Sequence, residues 1–332
     1  MNSSMQPVSK FNFSEAPFEN QYKALLNWIM QLNWYKIKEQ ETRQDRTGTG
    51  TYSVFNANNI VHELVDPETG KYWIPLLSSK YVHLPAIIHE LIWMLSGSDR
   101  LEYLKANNVR IWDEWVLPGT EVKNEKGELI GGSLGPVYGK QWRFWGEEEI
   151  DQVAKMENTL RNNPFSRRNI ITAWNVSHIE QMALPPCHTL SQWYVREENG
   201  ERYLDCKLYA RSQDLFLGTP FNMAFYSIWT IALAILHGMK PGRYIHVFGD
   251  AHIYANHIEQ VKEYLNDKTP AQKVFLDLDI SGDNKQRLLE IAHADHGRQY
   301  ISCIDLSYSD FKLEGWDDYK GKTKRIAAQV SV

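Results

Sequence analysis

The apolar run from Ala224 to Leu236 limits most strongly how this chain can fold. It is shorter than the roughly 18 residues needed to span a bilayer, and Tyr226, Ser227 and Thr230 interrupt it. It therefore predicts a helix buried in a protein core. Around it lie segments rich in β-branched and aromatic residues, which predict strands: Ile170 to Trp174, Thr189 to Val195, Tyr203 to Tyr209, Tyr244 to Phe248 and Val274 to Leu278. Another strand, Thr51 to Phe55, follows the turn Asp45 to Gly50. Helical spacing recurs at Tyr22, Leu25, Leu26, Ile29 and Leu32, at Ile88, Leu91, Ile92 and Leu95 behind Pro85, and at Ile150, Val153, Met156 and Leu160 ahead of Pro164. A further helix is expected from about His252 to Leu265. Strands grouped beside helices, without strict alternation, predict an α+β fold in place of a doubly wound sheet.

No Pro/Gly-rich linker divides the 332 residues. One domain over residues 21–332 is expected, behind a flexible polar tail at 1–20, with a surface insertion near 117–133. A hydrophobic content of 43% can fill a core without disulfides. Three cysteines are too few for a disulfide framework, and the N-terminus lacks the basic and apolar blocks of a secretory signal, so a cytoplasmic protein is expected. The formal charge of −5 argues against a surface that tracks a nucleic-acid backbone. No nucleic acid, membrane or metal is expected as a partner.

Cys187, in Pro185-Pro186-Cys187-His188, is the best nucleophile candidate; its alternative is a buried structural thiol. Adjacent strand residues point to opposite faces, so His188 is badly aimed to deprotonate it. Activation would come from arginines placed by the fold, which lower a thiol pKa. Arg46 lies in a Gly-rich turn, Arg167 and Arg168 open a strand, and Arg211-Ser212 follows one. Guanidinium forks with a neighbouring hydroxyl suit a small phosphorylated ligand. His89-Glu90 lacks the second histidine of a zinc motif, and Gly48-Thr49-Gly50 lacks a third glycine and a following helix. Asp250, His252 and His257 form a poor metal set, because the histidines are five apart on the expected helix. Asn222 serves equally as a helix cap or as a base reader.

Ordered blocks then carry a resemblance. DRTGTGT at Asp45, HELIW at His89, IWDEW at Ile111, LGPVYGKQW at Leu134, SRR at Ser166, WNV at Trp174, PCH at Pro186, RSQDLFLGTPFN at Arg211 and GDAHIYANH at Gly249 resemble the thymidylate synthase family from Asp45 to Val332. The resemblance implies a large mixed β-sheet covered by helices, and a homodimer formed through that sheet. It implies methylation of dUMP to dTMP with 5,10-methylenetetrahydrofolate as cosubstrate; the alternative within the superfamily is a dUMP hydroxymethylase that releases tetrahydrofolate. By the same resemblance Cys187 is the nucleophile toward uracil C6, and Glu90, Tyr138, His188, Asn175 and Asp214 complete the catalytic set. Arg46, Arg211 and Ser212 bind phosphate with Arg167 and Arg168 of the other subunit. Asn222 reads uracil, and His252 and Tyr254 bind the sugar 3′-hydroxyl. Ile111, Trp112, Trp115, Leu184, Asp214, Leu217, Gly218, Phe221 and the tail residue Ser331 line the folate site. The chain departs from the family pattern at Tyr81, where arginine is usual and helps anchor the closing tail, and at Ala210, Phe225 and Ser331.

Overall fold

The computed structural model of the chain describes residues 17–331. Its strands are β1 (Thr51–Phe55), β2 (Ile60–Glu63), β3 (Trp73–Ile74), β4 (Val122–Lys123), β5 (Leu129–Gly131), β6 (Ile170–Thr172), β7 (His188–Glu198), β8 (Glu201–Asp214), β9 (Lys240–Tyr254), β10 (Val274–Leu278) and β11 (Phe311–Glu314). The helices are α1 (Phe18–Leu32), α2 (Trp34–Glu39), α3 (Leu84–Leu95), α4 (Glu102–Ala106), α5 (Tyr138–Arg143), α6 (Gln152–Asn162), α7 (Gly218–Leu236), α8 (Ile258–Asn266), α9 (Gly282–His296) and α10 (Trp316–Lys322).

The main sheet has six strands in the order β1-β9-β8-β7-β6, with β2 also on β9. Asn199 and Gly200 turn β7 into β8 with φ of 54° and 77°, the left-handed pair that a two-residue hairpin demands. β8 and β9 are parallel, so the chain must cross over between them, and α7 makes that crossing. The expected buried helix is therefore present, but it begins at Gly218, ahead of Ala224. At 19 residues it is long and apolar enough to cross a membrane, and most of it is buried inside the fold. Trp193 donates from Nε1 to Thr230 Oγ1 at 3.1 Å, and Trp142 stacks on Trp229 at 4.9 Å, which fixes the helix against β7 and α5. The result is a mixed α/β arrangement, a large mixed sheet packed by helices.

Several boundaries differ from the expected ones. The helix expected from His252 does not start there: β9 runs on to Tyr254, a short turn covers Ala255–His257, and α8 begins at Ile258. The His252 carbonyl accepts from Leu215 N–H at 2.9 Å and the residue pairs with Ser53 and Asp214, so sheet pairing overrides local helical spacing. Likewise Arg211 and Ser212 lie inside β8, not after it. α1 begins at Phe18, whose ring is buried, so 18–20 belong to the folded body; positions 1–16 of the expected tail lie outside the described residues. α9 has little apolar periodicity to announce it: Leu288 and Ala292 are its buried apolar side chains. Residues 117–133 contain the β4–β5 hairpin, whose tip is exposed. The face of the main sheet away from α7 leaves Ile170, Leu190, Tyr194 and Tyr209 exposed.

Candidate active site

Cys187 sits at the mouth of the sheet, immediately before β7, and is half-buried. Its N–H donates to the Tyr138 hydroxyl at 2.8 Å, and its carbonyl accepts from Arg211 N–H at 2.8 Å. The Arg211 guanidinium donates to the Pro186 and Pro185 carbonyls at 2.8 and 3.0 Å and lies 5.1 Å from the Trp174 ring. The two prolines thus present carbonyls without a competing N–H, and the arginine ties them down. The expected lowering of the thiol pKa is not met. Burial pushes Cys187 up, and this outweighs the pull of Arg211 and Arg46, with Asp214 adding to the rise.

Glu90, on α3, accepts a hydrogen bond from the buried Trp112 indole at 2.7 Å. Burial raises its carboxyl to about 7, partly opposed by that bond. Tyr138 opens α5, is buried, and stacks on His188 at 4.1 Å. His188 Nδ1 meets the Tyr226 hydroxyl at 2.7 Å, and burial, then His246, lowers its pKa to about 3, so the ring is neutral. Asn175 is engaged elsewhere. It donates to Gln141 Oε1 at 2.9 Å and accepts from the Ser177 hydroxyl at 2.7 Å, in a network that shapes the 175–181 turn.

Asp214 ends β8 and accepts from Phe216 and Leu217 N–H at 2.8 and 3.2 Å, so it closes the turn that leads into α7. Asn222 lies within α7 and is not a cap; it donates to Gln213 Oε1 at 3.2 Å. His252 Nδ1 is 3.0 Å from Asp250 Oδ1, and burial, then Asp214, raises Tyr254 to about 12. No metal-binding cluster is present among the described residues. Ser212 pairs with Asp250 in the β8–β9 ladder.

The Asp45 carboxylate closes the turn that carries Arg46, accepting from Thr47 and Gly50, and the exposed Arg46 lies 5.1 Å over the Trp115 ring. Ile111 is exposed, Trp112 is 7% exposed, and Trp115, Leu184, Leu217, Gly218 and Phe221 are half-buried. Arg167 and Arg168 stand apart. Both are exposed, two or three residues before Ile170, which pairs with Gln192. That register sets Arg168 level with about Tyr194, seven residues along β7 from Cys187, or roughly 23 Å at strand rise.

Residues that the sequence reading passed over also converge here. Lys80 is buried, lies 5.0 Å over the Phe216 ring, and is lowered by burial to about 8 against the pull of Asp214. It is the one charge between Tyr72 and Val82, and that isolation was its signal. Gln213 and Tyr226 gave no such signal. At the C-terminal end, Tyr81 N–H donates to the Lys324 carbonyl at 2.7 Å, Arg325 lies 4.3 Å over the Tyr81 ring, and His257 Nε2 meets the Gln329 carbonyl at 2.7 Å. The arginine absent at position 81 is thus matched by one from the C-terminal segment itself. The Ser331 hydroxyl is buried and unpartnered among the described residues. Val332 lies outside them.

A half-buried thiol, a carboxyl raised to about 7 under an indole, and a side-chain amide in the first turns of α7 are groups that suit nucleophilic addition to a polar ring. The sequence profile of the thymidylate synthase family matches residues 20–332. This chain belongs to the thymidylate synthase family, whose members carry out folate-dependent chemistry on dUMP.

Proposed function

We propose that this enzyme converts dUMP to dTMP, with 5,10-methylenetetrahydrofolate as cosubstrate. The observation that carries the reading is the half-buried Cys187 between the Tyr138 hydroxyl and Arg211, with the Tyr138 ring 5.9 Å from Trp112, the indole that bonds Glu90. Cys187 Sγ adds to uracil C6, and the electron pair moves through C5 to O4, turning an unreactive carbon into an enolate. Asn222 holds the O4 and N3 edge. Arg46, Arg211 and Ser212 grip the phosphate, and His252 and Tyr254 the 3′-hydroxyl. Glu90, poised near neutrality, passes protons at O4 with Tyr138 and the His188 stacked on it, while Asn175, bonded to Gln141 and Ser177, braces the neighbouring turn.

The residues present fit a folate. Trp112, Trp115, Leu217 and Phe221 offer apolar and aromatic walls, and the buried Lys80 cation with the half-buried Asp214 carboxylate that pulls on it supplies polar anchors. When bound, the folate supplies the one-carbon unit and the hydride. The chain's own part in the last step is exclusion of water, by Trp112, Leu184 and the tail through Ser331.

Arg167 and Arg168 are too far along β7 to reach their own Cys187, and the sheet face beside them carries exposed Leu190, Tyr194 and Tyr209. We therefore assign them to the site of a second copy, in a homodimer through that face. The reaction is tested by chromatography with mass detection. One dTMP per dihydrofolate is expected; 5-hydroxymethyl-dUMP with unoxidised tetrahydrofolate would replace the synthase reading with the hydroxymethylase one.

A further inference from the structure

We propose that a cavity at the end of the main sheet remote from Cys187 binds a small organic monocation, an ammonium head on an apolar body, with Asp277 as its counter-charge. The cavity encloses about 1210 Å³ between the β7–β8 turn, the end of α7 and the sheet β11-β10-β3. Glu197 in its wall lies ten residues along β7 from Cys187, roughly 33 Å at strand rise. No residue assigned above to the reaction lines it. The volume suits a ligand of small-molecule size, and Ile235, Met239, Phe275, Leu276 and Leu313 give it an apolar lining.

Charge decides what the cavity takes. Its cations are already engaged. Lys71 meets Glu314 at 2.5 Å and lies 5.6 Å over the Phe275 ring, Lys240 meets Glu201 at 2.5 Å, and Arg202 faces Glu197 at 3.8 Å. Lys312 stands opposite Asp277 across β10 and β11, but its ammonium turns to Asp279 at 3.1 Å. Asp277 is exposed, and among the described residues it has no cation at ion-pair distance; its bond is to the Leu278 N–H at 2.8 Å. An anion would have to break an existing pair, whereas a cation finds a free carboxylate. The end of α7 adds to this preference. Ile235 and Gly238 line the cavity, and the last turn carries no basic residue to offset the carbonyl end of the helix. Tyr72, also in the wall, is kept protonated by burial and then by Asp277, so its hydroxyl oxygen can accept a second bond from the head. A polycation would meet the lysines and arginine of the rim, which restricts the ligand to one charge.

Fluorine NMR titration of the full chain with para-fluorophenethylamine tests this, beside para-fluorophenethyl alcohol and para-fluorohydrocinnamate as neutral and anionic matches of its shape. The amine should bind saturably and at least about threefold tighter than either match. Asp277→Asn, at an exposed position, should weaken the amine by about threefold and leave the alcohol unchanged. Lys240→Gln frees Glu201 and should tighten the amine by about 1.5- to 5-fold. Saturating dUMP should leave the amine affinity as it was. Equal binding of the three probes, or an unchanged amine affinity in Asp277→Asn, would overturn the assignment. So would a Lys240→Gln affinity no tighter than wild type, or displacement of the amine by dUMP.

Discussion

Trp112 holds the Glu90 carboxyl through an indole N–H to Oε1 bond of 2.7 Å, which joins the wall of the proposed folate site to the group proposed to handle protons. Glu90 carries the larger consequence, because burial raises it from 4.5 to about 7. The folded chain therefore keeps a proton that the unfolded chain releases above pH 4.5.

The sign follows from linkage: stability falls as pH rises from 4.5 to about 7, and above that the buried charge costs on the order of 3 kcal/mol. Glu90→Gln should remove that slope, so it should be more stable than wild type at pH 8 and lose activity about 100-fold or more. Urea unfolding of both proteins at pH 5 and pH 8 checks this. Equal pH dependence would place the titration elsewhere.

Arg167 and Arg168 give a complementation experiment. Arg168→Ala and Cys187→Ala should each be inactive alone. Mixed subunits should regain activity, since one hybrid site holds both an intact thiol and an intact arginine. No recovery after verified subunit exchange would mean that each site is built within one chain.

Tyr81 and Arg325 clamp the C-terminal segment with a ring-to-guanidinium distance of 4.3 Å. A cation–π contact of this kind contributes about 0.5–2 kcal/mol. Tyr81→Leu or Arg325→Gln should then speed amide hydrogen exchange at 324–329 by a factor of about 2–30, with a weaker apparent affinity for the folate. Exchange at the wild-type rate in both variants would contradict the clamp.

Substitution separates the turn bonds of Asp214 from the part in the reaction proposed for its carboxylate. Asp214→Asn keeps the acceptor toward Phe216 and Leu217 and should leave stability within about 0.5 kcal/mol, while Asp214→Ala should cost about 1 kcal/mol. Both should lower activity, because both remove the carboxylate beside Lys80. Thermal unfolding and initial rates read the two effects independently.

Periodic features were legible in the sequence. Of the stripe at Tyr22, Leu25, Leu26, Ile29 and Leu32, the first four are buried as expected while Leu32, the last residue of α1, is exposed; most of the run behind Ala224 is buried too. What failed were boundaries decided by long-range pairing. His252 sits on β9 because Ser53 and Asp214 flank it, and neither neighbour is visible locally. The thiol at Cys187 was legible as a candidate, but its environment was not. Burial of a residue beside two prolines depends on Tyr138 and Arg211, which are distant in sequence. Gln213 was silent for the same reason: its meaning lies in what it bonds.

Covalent addition of Cys187 to the base is directly measurable with a substrate analogue. 5-Fluoro-dUMP cannot lose its C5 substituent as a proton, so the adduct should stall after the folate joins. Denaturing mass spectrometry of wild type with 5-fluoro-dUMP and methylenetetrahydrofolate should show one chain carrying both molecules, with fragment ions assigning the bond to Cys187 and no adduct in Cys187→Ala. No adduct in wild type, or an equal one in Cys187→Ala, would contradict the claim.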